Sequence, residues 1–188
     1  FTAPRKRCAN KPGLFRELAE DNGSVSWDEA ETLEERMTLW TARHSCYEAC
    51  IALKPGSRNM GTDACVPIEH LAEVILETQA DVKSSGLIAP IVGHVGDGNF
   101  HLGIVFDPED ADERARADAL ADRVSRRALR FGGTCSGEHG VGLHKMRYLA
   151  EEHGEGLEIM RAIKAALDPL GLMNPGKLIP ERAETPGG

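Results

Sequence analysis

The sequence predicts an α+β fold in which helices cover one face of an antiparallel sheet. Segments with strand character alternate with amphipathic helices along the 188 residues. The clearest pair of strands, residues 87–95 and 99–106, is separated by Gly96-Asp97-Gly98, which is typical of a hairpin turn. Strands joined by a hairpin are antiparallel, so this pair favours a helix-covered antiparallel sheet over a doubly wound parallel one.

The helices are predicted from apolar residues that recur every three or four positions. Pro-Gly, Gly-Gly and Asp-Pro pairs end three of them. The predicted helices cover residues 14–20, 33–51, 67 to about 82, 111–131, 144–151 and 155–167. The apolar faces of the second and fourth are formed by Leu33, Met37, Trp40, His44, Tyr47 and Ile51, and by Ala117, Leu120, Ala121, Val124, Ala128 and Phe131. Residues 24–27 and 62–66 are predicted to be extended.

The composition indicates an acidic globular domain. The chain has 22 Lys and Arg against 30 Asp and Glu, a net charge of −8, which argues against binding to nucleic acid or to an anionic membrane surface. No apolar run approaches the roughly 18 residues of a membrane span. The 5 cysteines are an odd number without a CxxC pair, which suits a reducing compartment.

Two histidines flank the predicted hairpin turn in HVGDGNFH. If Asp97-Gly98 is a two-residue turn, His94 pairs with His101, and directly paired side chains share a sheet face with Cβ atoms about 4.5–5.5 Å apart. Two imidazoles at that separation can bind one metal ion. The alternative, that both are ordinary sheet residues with backbone or water partners, is left open by the spacing.

A glycine-spaced segment, Gly137-Glu138-His139-Gly140-Val141-Gly142, offers a carboxylate and a further imidazole. Adjacent residues on an extended loop face opposite ways, so one could bind a metal while the other faces a substrate. His94, His101 and Glu138 would form a two-His, one-carboxylate set with open coordination positions, which is typical of catalytic metals. His139 would suit a general base. Neither this segment nor GDGNFH fits a phosphate-binding GxGxxG motif.

Several stretches of the chain resemble the C-terminal domain of FAD-linked oxidases of the vanillyl-alcohol oxidase superfamily. They include PIVGHVGDGNFH, GGTCSGEHGVGLHK and MRAIKAALDPLGLMNPGKLIP. LWTARHSCYEACIALKPGSR and TDACVPIEHLAEVI are most similar to the branch of the D-lactate dehydrogenases (cytochrome) and glycolate oxidases. The similarity runs from about Leu14 to Pro180. It implies a ferredoxin-like α+β domain that covers the flavin ring, binds a 2-hydroxy acid and leaves most of the FAD to a separate N-terminal domain.

The resemblance also implies the roles of the two loops. His94, His101 and Glu138 match the family's ligands to a divalent metal, for which Zn, Mn and Fe are candidates, and His139 matches its catalytic base. The implied reaction oxidises the hydroxy acid to the 2-oxo acid, with hydride transfer from C2 to flavin N5 while His139 removes the hydroxyl proton.

Further positions are assigned by the same resemblance. Arg43, in LWTARH, matches a residue that pairs with the substrate carboxylate, and Arg58 falls near another basic position. Asn174 and Lys177, in NPGK, match positions close to the flavin. Related D-2-hydroxyglutarate dehydrogenases carry Asn where this chain has Gly103, which favours a smaller substrate such as lactate or glycolate.

The expected organisation is an irregular segment at residues 1–13, the family domain at residues 14–180, incomplete at its N-terminus, and a flexible tail at residues 181–188. Without an FAD domain, this chain alone is expected to be inactive. The expected partners are a small 2-hydroxy acid and an electron acceptor (a cytochrome, a quinone or a flavoprotein), with assembly as a homodimer or with other oxidase subunits. The expected location is the cytoplasm, either free or peripheral to the inner membrane, or the mitochondrion in a eukaryote.

Two other classes of function fit the same residues. Two histidines and a glutamate also suit water activation in a metal-dependent hydrolase, which would need no flavin. A non-catalytic module could bind a carboxylate without any metal.

Overall fold

The computed structural model describes residues 11–180, which fall into two compact units divided between Ser45 and Cys46. The predicted tail and most of the predicted irregular N-terminal segment therefore lie outside the described residues. The first unit contains helices α1 (Lys11–Asp21) and α2 (Leu33–His44). Thr32 begins α2 with a capping box, in which it exchanges hydrogen bonds with Glu35.

Two predictions for the first part of the chain are wrong. The helix predicted over residues 33–51 is interrupted at Ser45 (φ −87°, ψ 5°), so that α3 (Cys46–Ala52) forms a separate helix in the second unit. The strand predicted at residues 24–27 is not formed. Val25 in that segment is fully exposed, and a strand without a hydrogen-bonded neighbour has nothing to stabilise it.

The second unit is an antiparallel sheet with helices packed against it. Short 3-10 turns occur at Ile68–His70, Val95–Asp97 and Met146–Tyr148. The other elements are β1 (Arg58–Gly61), β2 (Ala64–Cys65), α4 (Leu71–Ser85), β3 (Ile91–His94), β4 (Asn99–Phe106), α5 (Ala111–Arg130), α6 (Leu149–His153) and α7 (Gly156–Leu167).

Strand β4 is the centre of the sheet, and every described strand pairs with it in the antiparallel sense. Along one edge, β1 pairs with the second half of β4 and β2 pairs with its first two residues, in one continuous register from Arg58↔Phe106 to Cys65↔Asn99. Strand β3 pairs along the other edge. The predicted α+β class with an antiparallel sheet is confirmed.

The two faces of β4 have different surroundings. Phe100, Leu102, Ile104 and Phe106 point into the hydrophobic core, where α4 and α5 cover them. The residues of α5 predicted to face inward do so. Ala117, Leu120, Val124 and Ala128 are buried there, with Ala121 and Phe131 packed against them. The alternate residues of β4, among them Asn99, His101 and Gly103, therefore face the other way, and this second face carries the candidate site.

No helix within residues 11–180 is long and apolar enough to span a membrane.

Candidate active site

His94 and His101 lie on the same face of the sheet, but in a register that differs from the predicted one. The prediction that His94 pairs directly with His101 is wrong. His94 pairs with Asn99, and His101 pairs with Val92. The ladder is displaced by two residues, and an even displacement keeps both side chains on one face. Their ring centroids lie 5.7 Å apart.

The displacement arises because the hairpin loop is longer than the predicted two-residue turn. Val95–Asp97 form a 3-10 turn, and Gly98 completes the loop with φ 74°. The Val66 N–H donates to the Gly98 carbonyl at 3.0 Å, and a Cβ on residue 98 would lie 2.1 Å from the Val66 carbonyl oxygen. Val95 is 69% exposed, so extending the strand through it would bury little apolar surface.

The ring of His101 is oriented by an interruption of the ladder between β1 and β2. In that register, Thr62 and Asp63 stand opposite Leu102 and His101. The Thr62 hydroxyl accepts the Leu102 N–H at 2.9 Å. The Thr62 carbonyl oxygen lies 3.0 Å from Nδ1 of His101. A carbonyl oxygen can only accept, so Nδ1 carries the hydrogen and Nε2 of the neutral ring has a free lone pair.

Glu138 meets both histidines through one carboxylate oxygen. Its Oε1 lies 3.1 Å from Nε2 of His101 and 3.4 Å from Nε2 of His94. The His101 side chain is 13% exposed, whereas Glu138 is 47% exposed and borders solvent. The predicted ligand set is therefore brought together by three separate segments of the chain. These separations suit ligands of one ion with bonds of about 2.0–2.2 Å.

His139 lies beside this set and not on the opposite side of its loop. Its ring stacks on that of His101 with centroids 5.0 Å apart, and its Nε2 lies 3.5 Å from Oε1 of Glu138. The prediction that Glu138 and His139 face opposite ways is wrong, because residues 137–139 form a bend and not an extended strand. His139 is 59% exposed, which leaves its ring accessible to a small molecule.

Asp63 is a member of the site that the sequence analysis missed. Its side chain is 1% exposed and lies with Oδ1 3.7 Å from Nδ1 of His101. Its Oδ2 accepts the backbone N–H groups of Glu138 at 3.0 Å and His139 at 2.9 Å. The sequence did contain a signal for this residue. Strands disfavour Asp, and Asp63 stands alone between Thr62 and the apolar Ala64 in a segment predicted to be extended.

The pKa of the Asp63 carboxyl is well below its usual range. Burial by itself would raise this pKa, but the hydrogen bonds from the His139 backbone, the Asn99 side chain and the Glu138 backbone, together with the charge of Lys145, outweigh burial. Asp63 is therefore ionised.

Two overlapping sets of residues have the composition of a metal site. One is His94, His101 and Glu138, and the other is Asp63, His101 and His139. In the first set, Nε2 of His101 faces Oε1 of Glu138, whereas the Asp63 oxygens already accept hydrogen bonds from several donors. Nδ1 of His101, the ring nitrogen next to Asp63, carries a hydrogen and cannot bind a metal. The donor chemistry thus favours the first set.

The two arginines assigned by resemblance lie in different units. Arg43 is in α2 of the first unit, where its guanidinium stacks over Trp40 at 4.7 Å. Arg58 begins β1, opposite Phe106, which lies five residues along β4 from His101, roughly 16 Å away. The structure does not bring Arg58 to the His101 end of the sheet, and the roles of both arginines stay predictions.

Asn174 and Lys177 line a cavity of about 780 Å³ together with the segment from Gly140 to Gly142, which directly follows His139. Asn174 has φ 47°, and the Lys177 N–H donates to its carbonyl at 3.2 Å. The Leu178 N–H donates to the Gly142 carbonyl at 3.1 Å, so the two loops are hydrogen-bonded to each other. Much of the remaining wall is apolar and comes from α6 and α7.

Comparison with known proteins gives one matching family model, described as FAD linked oxidases, C-terminal domain, over residues 3–178. Among curated relatives, a probable mitochondrial D-lactate dehydrogenase of Danio rerio is 47% identical over 180 residues, which are 95% of this chain and 36% of the relative. A mitochondrial D-lactate dehydrogenase [cytochrome] of Arabidopsis thaliana is 43% identical over 89% of this chain and 30% of the relative. Glycolate oxidase subunit GlcD of Bacillus subtilis is 34% identical over 88% of this chain and 35% of the relative.

A solved structure shows the same fold. The 4-ethylphenol oxidase from Gulosibacter chungangensis, in an isoeugenol complex, superposes with a TM-score of 0.61 at 18% sequence identity. The superposition covers 96% of this chain and 38% of the oxidase. This chain spans about a third of the length of the curated relatives that it matches.

Proposed function

This chain belongs to the family of FAD linked oxidases, C-terminal domain, and we propose that it is the substrate- and metal-binding part of an FAD-dependent D-2-hydroxy-acid dehydrogenase. The relatives named D-lactate dehydrogenase and glycolate oxidase support a substrate of the lactate or glycolate type. Gly103 stands where the related D-2-hydroxyglutarate dehydrogenases carry Asn, so the resemblance favours one of these smaller acids.

The observation that carries the metal proposal is the meeting of two hydrogen-bond acceptors. Nε2 of His101 and Oε1 of Glu138 face each other at 3.1 Å, and Nε2 of His94 approaches the same oxygen at 3.4 Å. Two lone pairs at this distance repel unless a proton or a cation lies between them. The donor set of two imidazoles and one carboxylate fits a divalent ion such as Zn, Mn or Fe. When bound, such an ion polarises the hydroxyl oxygen of the substrate.

The cavity beside His139 fits the flavin assignment. Asn174 and Lys177 offer polar groups at its rim, and its apolar wall suits a flat aromatic ring. Most of the FAD would be held by another part of the polypeptide, as expected for a chain that spans a third of its relatives. When bound, the flavin accepts a hydride from C2 of the hydroxy acid.

The residues of this chain bind the acid and accept its proton. Arg43 pairs with the substrate carboxylate, as the LWTARH resemblance implies. His139 takes the hydroxyl proton as the C2 hydrogen leaves with its electron pair, so that the 2-hydroxy acid becomes a 2-oxo acid. Stacking on His101 holds the His139 ring beside the ligand set, within reach of a hydroxyl group bound there.

The names of the relatives also support proposals for the electron acceptor and the cellular location. Two of them carry "mitochondrial" in their names, and that from Arabidopsis thaliana carries "cytochrome". We propose a cytochrome as the electron acceptor, with a quinone or a flavoprotein as alternatives, and a mitochondrial location in a eukaryote. Assembly as a homodimer or with other oxidase subunits stays a prediction.

Anaerobic flavin reduction tests the function. The polypeptide encoded by the complete gene would be mixed with D-lactate, glycolate or D-2-hydroxyglutarate, and flavin bleaching followed by stopped-flow absorbance. We expect bleaching by D-lactate or glycolate, slow or no bleaching in His101→Ala, and a normal rate in His70→Ala, a matched variant whose ring packs against Phe131. A wild-type flavin that no 2-hydroxy acid reduces would contradict the proposal.

A further inference from the structure

One buried carboxylate holds the loop that carries Glu138 and His139. Oδ2 of Asp63 accepts the His139 N–H at 2.9 Å, the Glu138 N–H at 3.0 Å and the Ser136 hydroxyl at 3.2 Å. These three bonds restrain three residues of a four-residue stretch, so they fix the path of its backbone. We propose that Asp63 is the positioning residue that aims the Glu138 and His139 side chains at His101, an inference that rests on the function proposed for those two residues.

The same residue ties the loop to the sheet. Asp63 stands opposite His101 across the interrupted ladder, and its Oδ1 accepts a bond from Nδ2 of Asn99 at 2.8 Å. Asn99 is the cross-strand partner of His94. Asp63 is thus bonded to the strand that carries His101 and, through Asn99, to the pair that contains His94. It is positioned to set the distance between the sheet-borne ligands and the loop-borne ones.

The partners of Asp63 explain why a carboxylate is needed at this position. All the groups that contact its two oxygens are donors: Nδ2 of Asn99, the hydroxyl of Ser136, two backbone N–H groups and Nζ of Lys145 at 3.3 Å. An asparagine has one acceptor oxygen, and its NH₂ group would face other donors. The Lys145 ammonium balances the charge and also donates to the Asp63 carbonyl at 3.1 Å.

Asp63 therefore acts through the loop and not as a metal ligand. Its oxygens offer about four lone-pair directions, and the donors described above occupy them. This distinguishes its expected behaviour from that of His101, whose Nε2 has no hydrogen-bond donor opposite it.

The test compares Asp63→Asn with Asp81→Asn in the polypeptide encoded by the complete gene. Asp81 is a matched control, because it is also largely buried (12% exposed) and bonded to cations, but lies in α4 and pairs with Arg123 and Arg127. Titration with Zn²⁺ and Mn²⁺ would give the metal affinity, and steady-state assays with D-lactate would give kcat and KM. Circular dichroism and Tm would report folding.

We expect Asp63→Asn to lower the metal affinity and kcat by about 10–100-fold each, the usual effect of removing a group that orients metal ligands. KM for D-lactate should change little, since Asp63 does not contact substrate. Asp81→Asn should lower Tm but leave the metal affinity and kcat unchanged. Ser136→Ala, which keeps the carboxylate and both backbone bonds, should shift metal affinity in the same direction by a smaller factor and serves if Asp63→Asn does not fold.

Two results would overturn the inference. Normal metal affinity and kcat in Asp63→Asn, or in Ser136→Ala where the first variant is unfolded, would show that the loop is held without this anchor. Complete loss of metal at unchanged folding, as expected for His101→Ala, would make Asp63 a ligand. A wild-type protein that binds no metal would instead contradict the proposed function, so the two failures are distinguishable.

Discussion

Nδ1 of His101 lies 3.0 Å from the carbonyl oxygen of Thr62. This contact decides which ring nitrogen of His101 is free, because the carbonyl can only accept and so requires the hydrogen on Nδ1. The opposite nitrogen then presents a lone pair to Glu138. A metal-binding histidine usually donates its other ring N–H to a hydrogen-bond acceptor, which fixes the orientation and the tautomer of the ring.

Glu138→Gln and His139→Asn are expected to separate metal binding from proton transfer in the complete polypeptide. Glu138→Gln removes an anionic ligand, so metal affinity should fall and added metal should partly restore turnover. His139→Asn removes the base, so turnover should fall by roughly 10²–10⁴-fold at normal metal content. The acidic limb of the pH–rate profile should flatten in this variant, because a neutral imidazole is no longer required.

The Glu138 and His139 side chains approach within 3.5 Å, so finding different effects of the two substitutions on metal content would be a demanding test of the assigned roles. Metal content by mass spectrometry and pH-dependent assays on both variants would check it. If His139→Asn lost metal as readily as Glu138→Gln, His139 would be a ligand beside Glu138 and its assignment as the base would be wrong.

Gly137→Ala is expected to disrupt the site. A Cβ at this position would lie 2.0 Å from Nδ2 of Asn99 and 2.9 Å from Oδ1 of Asp63, and neither buried side chain can move without breaking the bond between them. Overpacking of this kind typically costs about 1–3 kcal/mol. Thermal unfolding should show a lower Tm, and titration a weaker affinity for metal.

Gly96→Ala is the matched control, because a Cβ at residue 96 meets nothing within 4 Å and Gly96 is also close to His94 in sequence. It should leave both Tm and metal affinity near the wild-type values. Equal effects of the two substitutions would argue against close packing of the loop over Asn99.

Asp81→Asn is expected to destabilise the second unit in a pH-dependent way. Burial would raise the pKa of Asp81, but hydrogen bonds and charges from Arg123 and Arg127 lower it below the ordinary value. The folded pKa is then below the unfolded one of about 3.9, so the contribution is fully present above pH 4 and is lost as pH falls through the folded pKa. At pH 7 the free energy of unfolding should fall by about 1–3 kcal/mol.

Urea unfolding of wild type and Asp81→Asn between pH 7 and pH 3 would measure this. The difference between the two proteins should shrink as the pH falls below about 4 and toward the lowered pKa of the folded wild-type carboxyl. A difference that stayed constant, or grew, toward low pH would contradict the assigned pKa direction.

Local sequence patterns predicted the elements that carry the core. The strand at residues 99–106 has the predicted bounds, and α5 ends one residue from its predicted end, because both have long and regular apolar patterns. Strand β1 was missed, since Arg58 and Asn59 give it no apolar alternation. Its place in the sheet depends on pairing with β4, which sequence periodicity does not report.

The site shows a similar division. The sequence identified His94, His101 and Glu138 as a set, and the structure brings them together, but through a different hairpin register. The register depends on the conformation of Gly98 and on a bond from Val66, a residue distant in sequence. Asp63 was missed because its role comes from donors supplied by a loop more than 70 residues later, and such contacts leave no local pattern.

The most direct test is the metal stoichiometry of this chain, purified without chelator and titrated with Zn²⁺ and Mn²⁺ by calorimetry. We expect one divalent ion per chain in the wild type, strongly weakened binding in His94→Ala and His101→Ala, and unchanged binding in His44→Ala, whose ring lies against Trp40 in α2. A wild-type chain that binds no ion, or equal loss in all three variants at unchanged folding, would show that His94, His101 and Glu138 are not a metal site.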